Sequence, residues 1–421
     1  MFYFVLDILL PLFYIRLNLK QVFIIGPAAV DSSSSTSVQP AVPPPRFPTL
    51  DGLRAIAILL VLPHNLNLLT VPSGIGMHTL IATLDRGWIG VQLFFVLSGF
   101  LITGILLDTR DACNYYGSFY VRRVLRIFPL YYATLIFVFV LLPALRLLPD
   151  SIKRYPIVEL SYWLYFANWY GPFHQGQGSL SHFWSLAVEE QFYLLWPFLV
   201  HRRNPQLVMR LCIVIAAASL LFRVVMLWAG TPIQGVSQFL VSRMDALALG
   251  GLAAAALRIP SMASWVLRRR CLLVGAGMVS LFAGGLISRG YFFSNGMTLS
   301  LGYTFLAVTF ALLIVACAAT DIIRSSGLAA VLRSAVLRKV GQYSYGMYVL
   351  HFPLHLLVGQ PILRDLGLAS RNSVIVGLTY IVIGTVASFL AAAASFHLIE
   401  AHFLNLKNRF LPSTVVRRES R

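Results

Sequence analysis

Apolar residues gather along this chain in ten long blocks, near 53–72, 88–107, 128–147, 184–200, 208–229, 238–259, 270–288, 297–318, 343–359 and 372–398. Each approaches the ~20 residues of helix needed to cross a ~30 Å hydrocarbon layer. Short polar connectors separate them. The pattern predicts an all-α integral membrane protein of about ten transmembrane helices. An eleventh run, VELSYWLYFANWY at 158–170, is shorter and polar at its edges.

Charge decides how that run is read. With Arg54 placed inside, the connectors at 108–127, 201–207, 260–269 and 319–342 and the tail after 403 are also inside, and all are rich in arginine or lysine. The alternate connectors hold fewer basic residues. Such asymmetry marks cytoplasmic loops. A full span at 158–170 would invert every later loop, so this stretch is expected to be re-entrant or interfacial, with both termini of the protein cytoplasmic.

Composition agrees. Hydrophobic residues make up 58% of the chain and charged residues 11%, against about 25% charged in soluble domains; mean hydropathy is +0.77. The net charge of +18 is spread over connectors rather than gathered on one soluble face, so a bilayer is the expected partner and nucleic acid is not. The four cysteines, Cys113, Cys212, Cys271 and Cys317, have no paired spacing and read as small packing residues. With no CxxC, HExxH or phosphate-binding glycine loop, neither a metal nor a permanently bound cofactor is expected.

The amino end departs from the pattern. Residues 1–47 hold an apolar, aromatic stretch and then a Ser- and Pro-rich linker. Two readings stay open: an added hydrophobic segment, or an artefact of a true start further downstream. A membrane domain is expected over 48–403 and a basic cytoplasmic tail over 404–421.

Four polar clusters interrupt the apolar blocks. In the first, eight apolar residues and Pro63 separate Arg54 from His64, which in a helix sets the two roughly 15 Å apart along the axis. A snorkelling arginine and a kink-capping histidine would be the structural explanation. A titratable group at mid-depth is costly enough to mark function instead, with His64 as a base. The second cluster, Arg122, Arg123 and Arg126, sits on one side of a helical turn at the inner interface. It is either a positive-inside anchor or a fork-shaped donor set for the phosphates of a cytoplasmic acyl donor. The third holds Glu189 and Glu190 in aromatic surroundings. The two project about 100° apart, so one at most is expected to face a site, and a buried carboxylate needs a partner; His64, His174 and His182 are candidates. In the fourth, Tyr345, Tyr348 and His351 share a helical face. The pairs Arg243 with Asp245 and His397 with Glu400 read as intramembrane ion-pair or scaffold groups.

These stretches, LDGLRAIAILLVLPH (50–64), GWIGVQLFFVLSGFLITGIL (87–106), FYVRRVLRIFPLYY (119–132), WSLAVEEQFYLLWP (184–197), RMDALALG (243–250) and GQYSYGMYVLHFPL (341–354), resemble in content and order the acyltransferase 3 family of integral membrane acyltransferases. The resemblance extends over roughly 48–403. It implies an acyl-CoA donor, most often acetyl-CoA, and transfer to a hydroxyl of an extracytoplasmic or lipid-linked glycan by a multi-pass protein of the inner membrane. The family's arginine-and-histidine motif falls on Arg54 and His64, its tryptophan-serine-leucine-glutamate motif on Trp184, Ser185, Leu186 and Glu189, and its tyrosine-histidine segment on Tyr345 and His351. One departure is that nine residues, rather than the family's ten, separate Arg54 from His64. A second is that Glu400 is followed by Ala401-His402-Phe403 rather than a proline-rich turn.

On this reading His64 takes the acceptor proton or the acyl group itself, Glu189 orients or charge-balances an imidazole, and His351 is a second candidate catalytic residue. Arg54, Arg122, Arg123, Arg126 and Tyr345 hold the donor. The rival is a transporter or flippase for a lipid-linked sugar or small solute. It predicts an internal repeat between halves, and the clusters at 54–64 and 184–193 do not recur in the second half.

Overall fold

The computed structural model describes residues 37–40, 47–69, 75–147, 155–170, 180–325, 327–368 and 373–416. The expected amino-terminal segment lies almost wholly outside them, as does His174. Among the described residues ten helices reach 17 residues or more: α1 Pro48–Asn65, α2 Ile89–Asp108, α3 Tyr115–Ile136, α4 Trp184–Val200, α5 Pro205–Trp228, α6 Leu240–Ala256, α7 Pro260–Ile287, α8 Tyr303–Ile322, α9 Ala335–Leu354 and α10 Val374–Ser395. A two-stranded antiparallel ribbon pairs Ser37–Pro40 with Ser413–Val416.

Local sequence sets several starts. Pro48 opens α1 and Asp51 lies in its first turn, at the positive end of the helix dipole. Asn204 caps α5 by accepting the Leu207 amide at 2.8 Å, with Pro205 next. Several helices begin earlier than their apolar blocks, among them two that line the site. α3 starts at Tyr115 rather than near 128, and α9 at Ala335 rather than 343. Tyrosine and long-stemmed arginine fit a helix without being apolar, so hydrophobicity alone truncates both. In consequence Arg122, Arg123 and Arg126 stand inside a helix, not in a connector.

Pairs of contacts set the sense of each helix. α1 and α2 are antiparallel, with Gly87 against Leu60 and Gly90 against Ala57. α2 and α4 are parallel, joined by Ser98 to Glu189 and Thr103 to Trp196. Tyr115 and Tyr120 of α3 donate to the carbonyls of Pro197 and Leu194, which makes α3 antiparallel to α4. α1 and α9 run parallel: Asp51 meets Gly341 at one end, and Asn65 meets His351 at the other. The remaining neighbours follow suit, so odd-numbered helices point one way and even-numbered helices the other.

Seven stretches, which contain α2, α3, α5, α6, α7, α8 and α10, are long and apolar enough to cross a membrane, and the chain is a multi-pass membrane protein. The three long helices that miss this standard are α1, α4 and α9. They carry Arg54, the paired glutamates and the tyrosine-histidine face. Their polar groups turn inward, which takes apolar character from the helix rather than from the lipid surface.

Residues 158–170 do not form a span. They fall on helices of only eight and four residues, Pro156–Trp163 and Ala167–Tyr170. Side chains of the long helices meet backbone carbonyls at the end of the first short helix and just beyond it: Tyr131 donates to Tyr162, Tyr132 to Trp163 and Gln191 to Tyr165. Irregular backbone at membrane depth requires such protein partners.

Two buried polar groups tie the helices further. Arg223 and Asp245 form a fully buried pair at 2.7 Å, supported by Thr304 and the Ser242 carbonyl. Asp245 is therefore not paired with its neighbour Arg243, whose guanidinium binds Gln92, the Ser237 carbonyl and the Tyr303 hydroxyl. Nor do His397 and Glu400 pair: Tyr343 lies 3.4 Å from His397, and Ser395 donates to Glu400.

Candidate active site

Five helices, α1, α2, α3, α4 and α9, wall a cavity that is open to solvent. It lies on the seam between two buried apolar clusters. Phe95 and Tyr193 come from one, Leu186 and Tyr348 from the other. The charged groups on its wall are three guanidiniums, Arg54, Arg123 and Arg126, and two carboxylates, Glu189 and Glu190.

These charges are arranged so as not to cancel. Arg54 reaches only its own-helix neighbour Asp51, at 3.4 Å and half-exposed. Arg123 stacks near the rings of Phe119 and Tyr193, at 5.9 and 5.5 Å. Glu189 accepts the Ser98 hydroxyl at 2.8 Å and the Tyr193 hydroxyl at 3.1 Å. Among the described residues no ion pair joins the cavity's arginines to its glutamates. Guanidiniums left without a carboxylate partner in a partly enclosed space are poised for an anionic ligand.

The site differs from expectation in four ways. Glu189 is held by Ser98 and Tyr193 rather than by an imidazole. Glu190 lines the cavity beside it, because the space is wide enough to receive two side chains 100° apart. Arg122 does not line the cavity; Arg123, Arg126 and Ile127 define the facing side of α3, and Arg122 lies 100° from the first of them. The Tyr345 hydroxyl, though on the wall, donates to the Ile127 carbonyl at 2.7 Å and so holds α9 to α3.

One end of the cavity closes on Tyr348 and Ser185, whose hydroxyls lie 2.5 Å apart. The carbonyl of His182 lies 3.0 Å from the Tyr348 hydroxyl and 3.2 Å from that of Ser185, so one of the two donates to it and the other to its neighbouring hydroxyl. Behind them the rings of His182 and His351 stand 4.8 Å apart. His351 has no free nitrogen. The Asn65 amide donates to Nε2 at 2.9 Å, which places the proton on Nδ1, and Nδ1 donates to the Tyr348 carbonyl at 2.7 Å. His182 is the converse: neither ring nitrogen has a partner among the described residues. Burial, with His351 adding to it, lowers its proton affinity well below that of an ordinary histidine, so the ring is neutral.

His64 occupies the last turn of α1, flanking Gly87, with Nδ1 buried and unpartnered. It lies at the same end as the His182–His351 pair but outside the cavity wall. The structure thus brings Arg54, Arg123, Arg126, Glu189 and Tyr345 together and sets His64 and His351 beyond them. Sequence reading passed over Ser98, Tyr193 and Asn65. Ser98 and Asn65 are single polar residues bordering apolar runs, which is a weak signal; Tyr193 looks like any interfacial tyrosine.

The model of a family described as an acyltransferase domain matches residues 47–397. The chain belongs to the acyltransferase 3 family. Acyltransferase 3 relatives include the peptidoglycan O-acetyltransferase OatA of Listeria monocytogenes, 29% identical over 84% of this chain and 55% of the relative. The putative peptidoglycan O-acetyltransferase YrhL of Bacillus subtilis is 30% identical over 84% of this chain and 54% of its own length. The O-acetyltransferase OatA of Staphylococcus aureus matches over 42% of the chain at 34% identity. This acyltransferase 3 chain spans about half the length of the first two. No solved structure matches.

Proposed function

We propose that the protein moves an acyl group, acetyl in the first instance, from acyl-CoA on the cytoplasmic side to a hydroxyl of an extracytoplasmic or lipid-linked glycan. The observation that carries this reading is the cavity on whose wall Arg54, Arg123 and Arg126 gather, none of them paired with its glutamates among the described residues, with Arg54 reaching only the half-exposed Asp51. A coenzyme A donor carries its charge on phosphates, which such a set binds well. The relatives' names supply the chemistry and acceptor class, as acetyl transfer to peptidoglycan.

Ten spans with both ends inside belong to the same proposal. The alternating helix directions and the basic connectors both support it, and α1, α4 and α9 complete the count. The arginine cavity then opens toward the cytoplasm, and the histidine end lies toward the outer face of the cell's inner membrane.

In the transfer, the acceptor oxygen bonds to the thioester carbonyl carbon while the carbon–sulfur bond breaks. His64 takes the hydroxyl proton, and that proton ends on the departing thiolate. Glu189 offsets at a distance the positive charge of the imidazolium that forms on His64. A covalent acyl-His64 is the two-step form of the same reaction, and rapid-quench labelling with radiolabelled acetyl-CoA separates the two. The primary test uses purified protein in nanodiscs with acetyl-CoA and a peptidoglycan fragment. Acetylated fragment is the expected product. A protein that neither binds the donor nor acetylates the fragment would overturn the reading.

A further inference from the structure

We infer that His182 hydrogen-bonds a hydroxyl of the acceptor, on the side of the site away from the arginine cavity, and that His351 is the positioning residue that holds it there. This deepens the proposed function and rests on its acceptor being a hydroxyl compound.

The starting point is an unmet requirement. A neutral imidazole presents one donor and one acceptor, and buried polar groups in folded proteins are nearly always partnered. His182 is only 7% exposed, and both of its nitrogens are buried without a partner among the described residues. The backbone carbonyls of Tyr348 and Val349 lie near the His182 imidazole, but neither makes a hydrogen bond of ordinary geometry to it. Its ring sits among Phe183, Tyr348 and Phe352, at centroid distances of 4.7, 5.5 and 5.3 Å, surroundings that suit leucine or phenylalanine at least as well. An apolar side chain there would remove the desolvation cost of two unmade hydrogen bonds.

The neighbours narrow the ligand. A hydroxyl both gives and accepts a hydrogen bond, so one hydroxyl, or two on adjacent sugar carbons, matches a neutral imidazole. A carboxylate or phosphate offers only acceptors and leaves the unprotonated nitrogen unmet. His351 cannot serve in its place, since Asn65 and the Tyr348 carbonyl occupy both of its nitrogens. The same two bonds fix the His351 ring against which His182 packs. The backbone of His182 is anchored as well, its carbonyl closing a hydrogen-bonded cluster with the Ser185 and Tyr348 hydroxyls. Those two side chains form the end wall of the cavity, so a hydroxyl on His182 would stand one side chain away from the donor's space.

The test compares wild type with His182→Leu and His182→Gln in nanodiscs, using a peptidoglycan disaccharide fragment as acceptor and acetyl-CoA as donor. His182→Leu is expected to fold with an unchanged or higher Tm. Its KM for the fragment should rise about tenfold, the ordinary worth of one hydrogen bond, while its KM for acetyl-CoA stays within twofold. His182→Gln, which can still donate and accept, should recover part of the loss. The thermal shift produced by the fragment alone should be present in wild type and absent in His182→Leu, a measurement that requires no turnover. Loss of that shift in a protein that never transfers acetyl would count against the proposed function and leave His182 as a hydroxyl-binding residue. A fragment KM within twofold of wild type in His182→Leu, or no fragment-induced shift in wild type, would overturn the inference. So would a His182→Leu protein that does not fold, because the imidazole would then be making protein contacts that matter.

Discussion

Ser98 donates its hydroxyl to the Glu189 carboxyl group at 2.8 Å, joining α2 to α4 across 91 residues of sequence and fixing one of the two acidic side chains on the cavity wall. Ser98 lies in a mostly apolar helix, and Glu189 in an aromatic one. Each supplies what the other lacks. Glu189→Gln keeps the shape and the Ser98 bond but removes the charge, so turnover should drop by about tenfold or more while donor KM changes little. Ser98→Ala should cost less, a few-fold at most, because Tyr193 still holds the second carboxylate oxygen. Steady-state kinetics of both variants would check the order; equal losses would mean that Ser98 matters for more than placing Glu189.

The arginines of α3 give a prediction that separates neighbours in sequence. Arg123→Gln together with Arg126→Gln should raise the apparent KM for acyl-CoA by about tenfold or more, since a hydrogen bond to a charged group is worth about 1.5–3 kcal/mol. Arg122→Gln, off the cavity, should leave that constant within about threefold. Kinetics with both substrates varied would show it. Movement of the acceptor constant instead would assign this face of the helix to the glycan.

His64 is the base of the proposed reaction. His64→Gln has similar bulk and should insert and fold, but transfer per folded protein should fall by about 10²-fold. Fluorescence-detected size exclusion would normalise for expression. Retention of more than a third of wild-type turnover would remove His64 from the mechanism and move attention to the His182–His351 pair.

Close approach of α1 and α9 depends on Gly341, where an added Cβ would run into the Asp51 backbone. Gly341→Ala should cost roughly 1–3 kcal/mol through overpacking and lower the Tm in detergent. Gly117, in the first turn of α3, has nothing within 4 Å of a Cβ, so Gly117→Ala should be neutral or stabilising by up to about 1 kcal/mol. Similar thermal curves for the two alanine variants would contradict this packing.

Helix direction can be checked by labelling. In a cysteine-free background, Arg202→Cys should be protected from an impermeant reagent added outside, and Gln234→Cys should be modified. Both positions are exposed in the fold. Gln175, beyond the described residues, carries the same expectation as Gln234. Labelling at 202 with protection at 234 would reverse the orientation and put the arginine cavity outside.

Hydrophobic periodicity and the placement of arginine and lysine were enough to locate ten helical blocks, set 158–170 apart from them, and single out Arg54, Arg123, Arg126 and Glu189, which the fold brings to one cavity wall. These are local properties: an apolar run of given length has few fates in a bilayer, and a charge inside one stands out. What the sequence could not hold was mutual position. That Glu189 answers to Ser98 rather than to an imidazole, that Asp245 pairs with Arg223 instead of adjacent Arg243, and that Arg122 faces away from the cavity all depend on which helix lies beside which, and at what rotation. The two histidines show it most plainly. By sequence His182 and His351 are alike, each an imidazole near the end of an apolar run; packing gives His351 two partners and leaves His182 with none, because Asn65 at the far end of α1 happens to reach one ring and not the other.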